Sequence, residues 1–308
     1  MKRRIALLLV CLMLVSSTFF LTASADEGVK NGELLDAAEI MVVAAMNKAQ
    51  EVKVPMVITV MDMDGNLVLF HRMEGSLLAS MEISQNKAYT AVALKMPSSD
   101  VKDLAVEGAE LQGIAVQHAG KIVEFGGGFP IVDKSGKQIG GIGVSGGSVA
   151  EDCSVAQAGL DAYKAGKAPA AKADGGELLK QAMVMVQAAQ EKAVEINVPM
   201  VISVVDMGGN LVLHHRMEDS LLASLEISPN KAFTAAALKM PSGDVKKLAV
   251  EGAELQGIAV QHAGKIVEFG GGFPIVNKDG KQIGAIGVSG GSVAEDCSVA
   301  QAGLDAIK

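Results

Sequence analysis

Apolar positions at Leu35, Ala38, Val42, Ala45 and Ala49 recur at three- and four-residue spacing, which predicts a helix from Gly32 to Val52. Pro55 breaks that pattern. Val57-Ile-Thr-Val-Met61 reads as a buried strand, and Asp64-Gly65 is a hairpin signal leading into a second strand, Leu67-Val-Leu-Phe-His-Arg72. Helical spacing returns from Leu77 to Met96 and stops at Pro97, after which Ser98 or Ser99 is placed to cap a short helix through Glu107. Alternating patterns predict three more strands, at 121–125, 129–133 and 138–145. Ser148 then starts a last helix over 149–164.

The order is helix, two strands, two helices, three strands, helix. Hairpin-linked strands imply an antiparallel sheet whose faces the helices cover. The expected fold class is α+β: a profilin-like, three-layer α/β/α domain around a five-stranded antiparallel sheet, present twice. The repeat is plain in the sequence. Val54 to Tyr163 aligns without a gap with Val198 to Ile307, offset by 144 residues, and about 15 of the positions differ. The preceding segments, Glu33–Lys53 and Glu177–Asn197, keep the register but match at only about half of their positions. Residues 165–176, AGKAPAAKADGG, read as a linker between copy 1 (26–164) and copy 2 (177–308). The two copies are expected to contact each other about a pseudo-two-fold axis, with further homo-oligomerisation.

Residues 1–25 carry a basic start, an apolar run and Ala23-Ser24-Ala25, the pattern of a secretory signal peptide cleaved after Ala25. Removing Lys2, Arg3 and Arg4 takes three positive charges from the chain and moves its net charge from −8 to −11. An acidic surface of that size argues against nucleic acid or anionic lipid as a partner. The expectation is a soluble, secreted or periplasmic protein with no membrane contact after cleavage. Cys153 and Cys297, one per copy, do not make a disulfide framework. Aromatic residues are 3% of the chain and tryptophan is absent, so a site for a large flat ligand would need Met and aliphatic walls.

Several motifs resemble chemistry. Gly141-Ile-Gly143-Val-Ser-Gly146 has the form G-x-G-x-x-G, but a linker follows where a dinucleotide fold needs a parallel strand, and Ala285 breaks the string in copy 2. These glycines are better read as strand positions against which a helix or partner packs closely. Asp62-Met-Asp64-Gly-Asn66 lacks the spacing of a calcium loop and reads as a turn. Glu107 with Glu110, and Glu251 with Glu254, would stand one helical turn apart, a spacing that a hard metal ion can use and that solvated helices also show. His71 and His215 end the second strand of each copy, each followed by arginine (Arg72, Arg216). His118 and His262 precede an Ala-Gly-Lys turn. A histidine beside arginine can ligate iron while the guanidinium pairs with a carboxylate. An ordinary half-exposed strand residue or turn residue is the plainer reading of each position. His214, in place of Phe70, reads as incidental.

Three ordered motifs carry a resemblance. They are Ile83-Ser-Gln-Asn-Lys87-Ala-Tyr-Thr-Ala91, Gly127-Gly-Phe-Pro130, and Gln138-Ile-Gly-Gly-Ile-Gly-Val-Ser-Gly146 with Asp152 after it. Copy 2 repeats them from Ile227, Gly271 and Ile283. The chain resembles the GlcG/HbpS-like haem-binding family, which includes the C-terminal domain of PduO-type corrinoid adenosyltransferases. The resemblance implies an oligomerising domain that binds haem in several members. It transfers no axial ligand, so the four histidines stand on their chemistry alone. The matched motifs suggest a pocket for a carboxylate or haem propionate. In it, Ser84 caps a helix beginning near Gln85, Lys87 and Arg72 (Lys231 and Arg216) supply charge, and Gly127 and Gly128 (Gly271 and Gly272) allow close approach.

The leading expectation is therefore an exported haem carrier, scavenger or sensor accessory, not a classical enzyme. A protein or enzyme acting on a small carboxylate or metabolite, and an interaction module without a ligand, are the alternatives.

Overall fold

The computed structural model describes residues 28–173 and 175–308, so the expected signal peptide lies outside the described residues. Copy 1 runs α1 (Glu33–Val52), β1 (Val57–Asp62), β2 (Leu67–Arg72), α2 (Ala79–Ala93), α3 (Val101–Ala105), α4 (Ile114–Gln117), β3 (Gly128–Val132), β4 (Gln138–Ser145) and α5 (Val149–Lys164). Copy 2 repeats the series as α6 (Glu177–Glu195), β5 (Val201–Asp206), β6 (Leu211–Arg216), α7 (Ser224–Leu238), α8 (Ser242–Ala249), α9 (Ile258–Gln261), β7 (Gly272–Val276), β8 (Gln282–Ser289) and α10 (Val293–Asp305). Local chemistry sets several boundaries. Lys53 ends α1 in the left-handed conformation just before Pro55. Ser148 and Glu151 form a reciprocal capping box at α5, and Ser292 and Glu295 repeat it at α10.

The strands do not form two five-stranded sheets. Among the described residues each copy supplies four, and these eight join one antiparallel sheet in the order β3-β4-β1-β2-β6-β5-β8-β7. The missing strand is 121–125. Its backbone is satisfied by side chains instead of a neighbouring strand: Val123 N donates to Thr90 Oγ1 at 2.9 Å, and Ser98 Oγ donates to the Phe125 carbonyl at 2.8 Å. With Ile122 and Val123 buried, the stretch packs like a strand without pairing like one.

Copies meet where β2 pairs with β6, in the register Leu69↔His215, Phe70↔His214 and His71↔Leu213. A pseudo-two-fold axis passes between Phe70 and His214. One apolar core then runs through both copies, joining Met41 and Met46 of α1, Leu69 of β2, Leu213 of β6, and Leu179 and Met185 of α6. Helices α1, α5, α6 and α10 cover this face, while α2 and α7 cover the other. On that second face, β4 lies tight against α2: a Cβ at Gly143 would collide with the Ser84 carbonyl, and one at Gly141 with the Ala88 carbonyl. The G-x-G-x-x-G string is thus a helix-packing surface.

Candidate functional site

The first polar cluster lies in the seam. His71 Nε2 and His215 Nε2 are 2.8 Å apart, and both residues are almost wholly buried, at 1% and 3% exposure. Their ring centres are 5.1 Å apart with planes 16° from parallel. That separation is the nitrogen contact plus one ring radius on each side, so the imidazoles meet edge to edge in nearly one plane rather than face to face. Glu39 of α1 approaches His215 Nδ1 at 3.3 Å, near enough for attraction but poorly aligned for a hydrogen bond. Gln190 of α6 donates to Glu39 Oε1 at 3.0 Å and to Asn31 Oδ1 at 3.2 Å. With a carboxylate at Nδ1, His215 is assigned its proton there, leaving Nε2 to accept from His71. Burial, then the His215 charge, holds the His71 pKa well below the usual histidine range. For Glu39, burial would raise the value, but the contacts with His215 and Gln190 outweigh it and lower it.

His214 is not incidental. It sits at the axis, 1% exposed, with Nδ1 3.0 Å from Ser203 Oγ, and Ser203 Oγ is 2.8 Å from Ser228 Oγ. Burial, followed by the charges of His215 and Arg216, lowers its pKa to about 3. Two ion pairs flank the axis, Arg72 Nη2–Asp206 Oδ2 at 2.5 Å and Arg216 Nη1–Asp62 Oδ2 at 2.6 Å, each joining the two copies. Arg72 Nε also donates to the Leu211 carbonyl at 2.9 Å. The arginines proposed to meet a ligand are therefore engaged with the other copy.

Lys87 is likewise taken. Its ammonium is fully buried, donating to Asp152 Oδ2 at 2.6 Å and to the Val144 carbonyl at 2.9 Å. Lys231 repeats this with Asp296 at 2.5 Å and Val288 at 2.9 Å. Burial pulls the Lys87 pKa down and Asp152 opposes the fall. Ser84 does not cap a helix start: α2 begins at Ala79, and Ser84 Oγ lies inside it, 2.8 Å from Thr59 Oγ1. Gly127 and Gly128, with Gly271 and Gly272, fold over this pair, where a Cβ at Gly127 would meet Lys87 Nζ and one at Gly128 the Lys87 carbonyl. These glycines admit the protein's own lysine. The carboxylate beside Lys87 is the protein's own, that of Asp152.

The acidic pairs also change character. Val106 is extended and ends α3 after Ala105, so Glu107 and Glu110 lie in an exposed turn, and Glu251 and Glu254 repeat it beyond α8. Among the described residues no group of three or more His, Cys, Asp or Glu could hold a metal ion. Among the described residues Cys153 and Cys297 form no disulfide; both are half-buried, and burial pushes both thiols up.

Open space lies elsewhere, in a groove of about 960 Å³ between the start of α7 and the segment after α9. Leu222, Leu225, Ile266, Val267 and Phe269 make its apolar wall. Glu226, Asn230 and Glu268 add polar groups, as does Asn66 from copy 1. Leu222 is 66% exposed and Phe269 42%, so the apolar surface faces solvent. Lys231 Nζ sits 5.1 Å from the Phe269 ring centre and backs that wall from inside the protein. His262 follows α9 between two lining residues, Ala259 and Gly264; it is exposed, its ring centre 6.3 Å from that of Phe233. His118 occupies the matching place in copy 1, 6.4 Å from Tyr89. The four candidate histidines thus separate into a buried pair engaged with itself and an exposed pair beside apolar surface.

The chain is a duplicated α/β unit joined where β2 pairs with β6, with a solvent-open apolar groove beside α7. The chain belongs to the HbpS-like family: the model for haem-degrading protein HbpS-like matches residues 34–161 and 178–305. A 15.0 kDa protein of the dhaT–dhaS intergenic region of Citrobacter freundii is 46% identical over 127 residues, covering 41% of this chain and 89% of that one. The corrinoid adenosyltransferase PduO of Salmonella typhimurium is 42% identical over 123 residues, 40% of this chain but only 36% of PduO. Among solved structures, the PduOC:haem complex has 40% identity and a TM-score of 0.41, covering 42% of this chain and 93% of that one.

Proposed function

We propose that this chain is an exported haem-binding protein, a carrier, scavenger or sensor accessory, and that haem enters the groove beside α7 and its repeat on α2. Membership of the HbpS-like family makes haem the ligand to consider. The observation that carries the location is an apolar groove open to solvent with an exposed histidine, His262, in the segment that lines it. Leucine, isoleucine and phenylalanine walls suit the porphyrin faces. Glu226 and Glu268 would repel propionates held inside, so the propionates point outward into water, near the exposed Lys265. His262, and His118 in copy 1, are the proposed iron ligands, because an exposed imidazole can offer a lone pair. His71 and His215 have already spent their Nε2 atoms on each other.

The carboxylate-binding alternative gains nothing from the geometry, since Lys87, Lys231, Arg72 and Arg216 are each paired with an aspartate. Haemin titration followed by absorbance tests the reading. It expects a Soret band distinct from free haemin, and an unchanged haemin spectrum overturns it. Export is tested separately: the mature protein is expected to begin at Asp26, and an intact Met1 in the exported material would refute cleavage.

A further inference from the structure

The turn joining β1 to β2 belongs to copy 1, yet its last residue, Asn66, lines the groove on α7 of copy 2. Its placement is over-determined. Asp62 Oδ1 accepts from Asn66 N at 2.9 Å, and Asn66 Nδ2 donates to Asp62 Oδ2 at 3.3 Å. Asp62 Oδ2 is held in turn by Arg216 of β6 at 2.6 Å, so the anchor of this copy 1 turn comes from copy 2. Asn66 Nδ2 makes this one side-chain contact with Asp62, and Asn66 stands in the lining of a groove whose other polar side chains are those of Glu226, Glu268 and Asn230. The relay is built a second time in the opposite sense: Arg72 Nη2 holds Asp206 Oδ2 at 2.5 Å, and Asp206 Oδ1 accepts from Asn210 N at 3.0 Å.

We infer that the groove on α7 is a composite of the two copies, completed by Asn66, and that Asn210 does the same for the repeat-related surface on α2 of copy 1. Arg216 with Asp62, and Arg72 with Asp206, are positioning residues that hold these amides in place across the seam. The inference rests on the groove being the binding place proposed above, for a flat amphipathic ligand carrying carboxylates. An amide, that of Asn66 from copy 1 beside that of Asn230 from copy 2, is a neutral group able to meet a carboxylate without the repulsion of Glu226 and Glu268. A ligand that touches both copies binds only the paired form, so occupancy and pairing stabilise each other.

The test uses the full chain and haemin, with absorbance titrations of wild type, Asn66→Ala, Asp62→Asn and the double variant. Asp62→Asn keeps Oδ1 as the acceptor that shapes the turn while removing the charge that Arg216 holds. The expected result is a Kd raised about fivefold at one of two sites in Asn66→Ala, the scale of one lost hydrogen bond. Asp62→Asn should do the same, the double variant should be no weaker than Asn66→Ala, and Asn210→Ala should weaken the other site. Affinities within twofold of wild type in Asn66→Ala, or a full second loss when Asp62→Asn is added, would overturn the composite site. If wild type leaves the haemin spectrum unchanged, the haem reading fails by itself. The same variants are then titrated with anilinonaphthalene sulfonate, a flat amphipathic anion. Loss of dye affinity in Asn66→Ala keeps the composite site, and unchanged affinity overturns it. A wild type that binds neither probe overturns both.

Discussion

His71 Nε2 meets His215 Nε2 at 2.8 Å across the axis relating the two copies, in a contact that accommodates one proton and not two. Protonating both rings would set two N–H groups against each other inside a buried seam. The pair is an acid-sensitive joint, and His214, lying on the same axis, adds a third buried imidazole.

Its pH dependence follows from the pKa shifts. His71 and His214 titrate lower in the folded chain than in the unfolded one, where the value is near 6.5. Between those values the unfolded chain binds more protons. The stability these groups contribute is therefore present above about pH 6.5 and declines as pH falls towards the folded pKa, at up to about 1.4 kcal/mol per pH unit for each group. Melting temperature recorded from pH 7.5 down to pH 4 is expected to fall below pH 6.5. His214→Phe, which restores the copy 1 residue, should flatten the decline. A profile identical to wild type would rule out His214 as a contributor.

Lys87 and Asp152 form a buried ion pair, and removing one partner leaves the other charge uncompensated. Lys87→Met is expected to cost about 3–5 kcal/mol in urea denaturation, and Lys87→Met with Asp152→Leu markedly less. Equal losses in the single and double variants would mean that packing, not charge, governs the site.

Gly32 and Gly176 begin the first helix of each copy with φ of 96° and 102°, and a Cβ on them would strike Glu218 and Glu74 of the opposite copy. Close backbone contacts follow at both places: Glu218 N donates to the Asn31 carbonyl at 2.9 Å, and Glu74 N to the Gly175 carbonyl at 2.7 Å. Gly32→Ala and Gly176→Ala should each destabilise the chain by roughly 1–3 kcal/mol in the same denaturation assay. Gly166→Ala, whose Cβ would meet nothing within 4 Å, serves as the comparison for positive φ alone. A loss no larger than that of Gly166→Ala would remove the steric argument.

Much of the fold can be read from periodicity, because the helices carry apolar stripes and the breaks at Pro55 and Pro97 are local. The stretch 121–125 misleads for a physical reason: alternation reports burial, and here Thr90 and Ser98 take the backbone bonds a partner strand would take. Joining of the sheets was also open to inspection, since Leu67–Arg72 carries neither the proline nor the lysine that usually protects an exposed edge. The site was less legible. Sequence ranks His71 and His118 alike, and only burial separates them. Glu39 and Gln190 belong to no motif and fall where the repeat is weakest. Their counterparts, Met183 and Met46, are apolar, and that mismatch was the available signal. Lys87 reads as a ligand contact in the sequence because residues 65 positions apart give no hint that Asp152 closes on it.

On the proposed reading the exposed histidines, not the buried ones, hold iron beside α7 and α2. Haemin titration of His118→Ala/His262→Ala against His71→Asn/His215→Asn tests it most directly. The Soret band of the first variant should shift towards that of free haemin at unchanged melting temperature, while the second should keep the wild-type band and lose stability. A wild-type Soret band in His118→Ala/His262→Ala would contradict it.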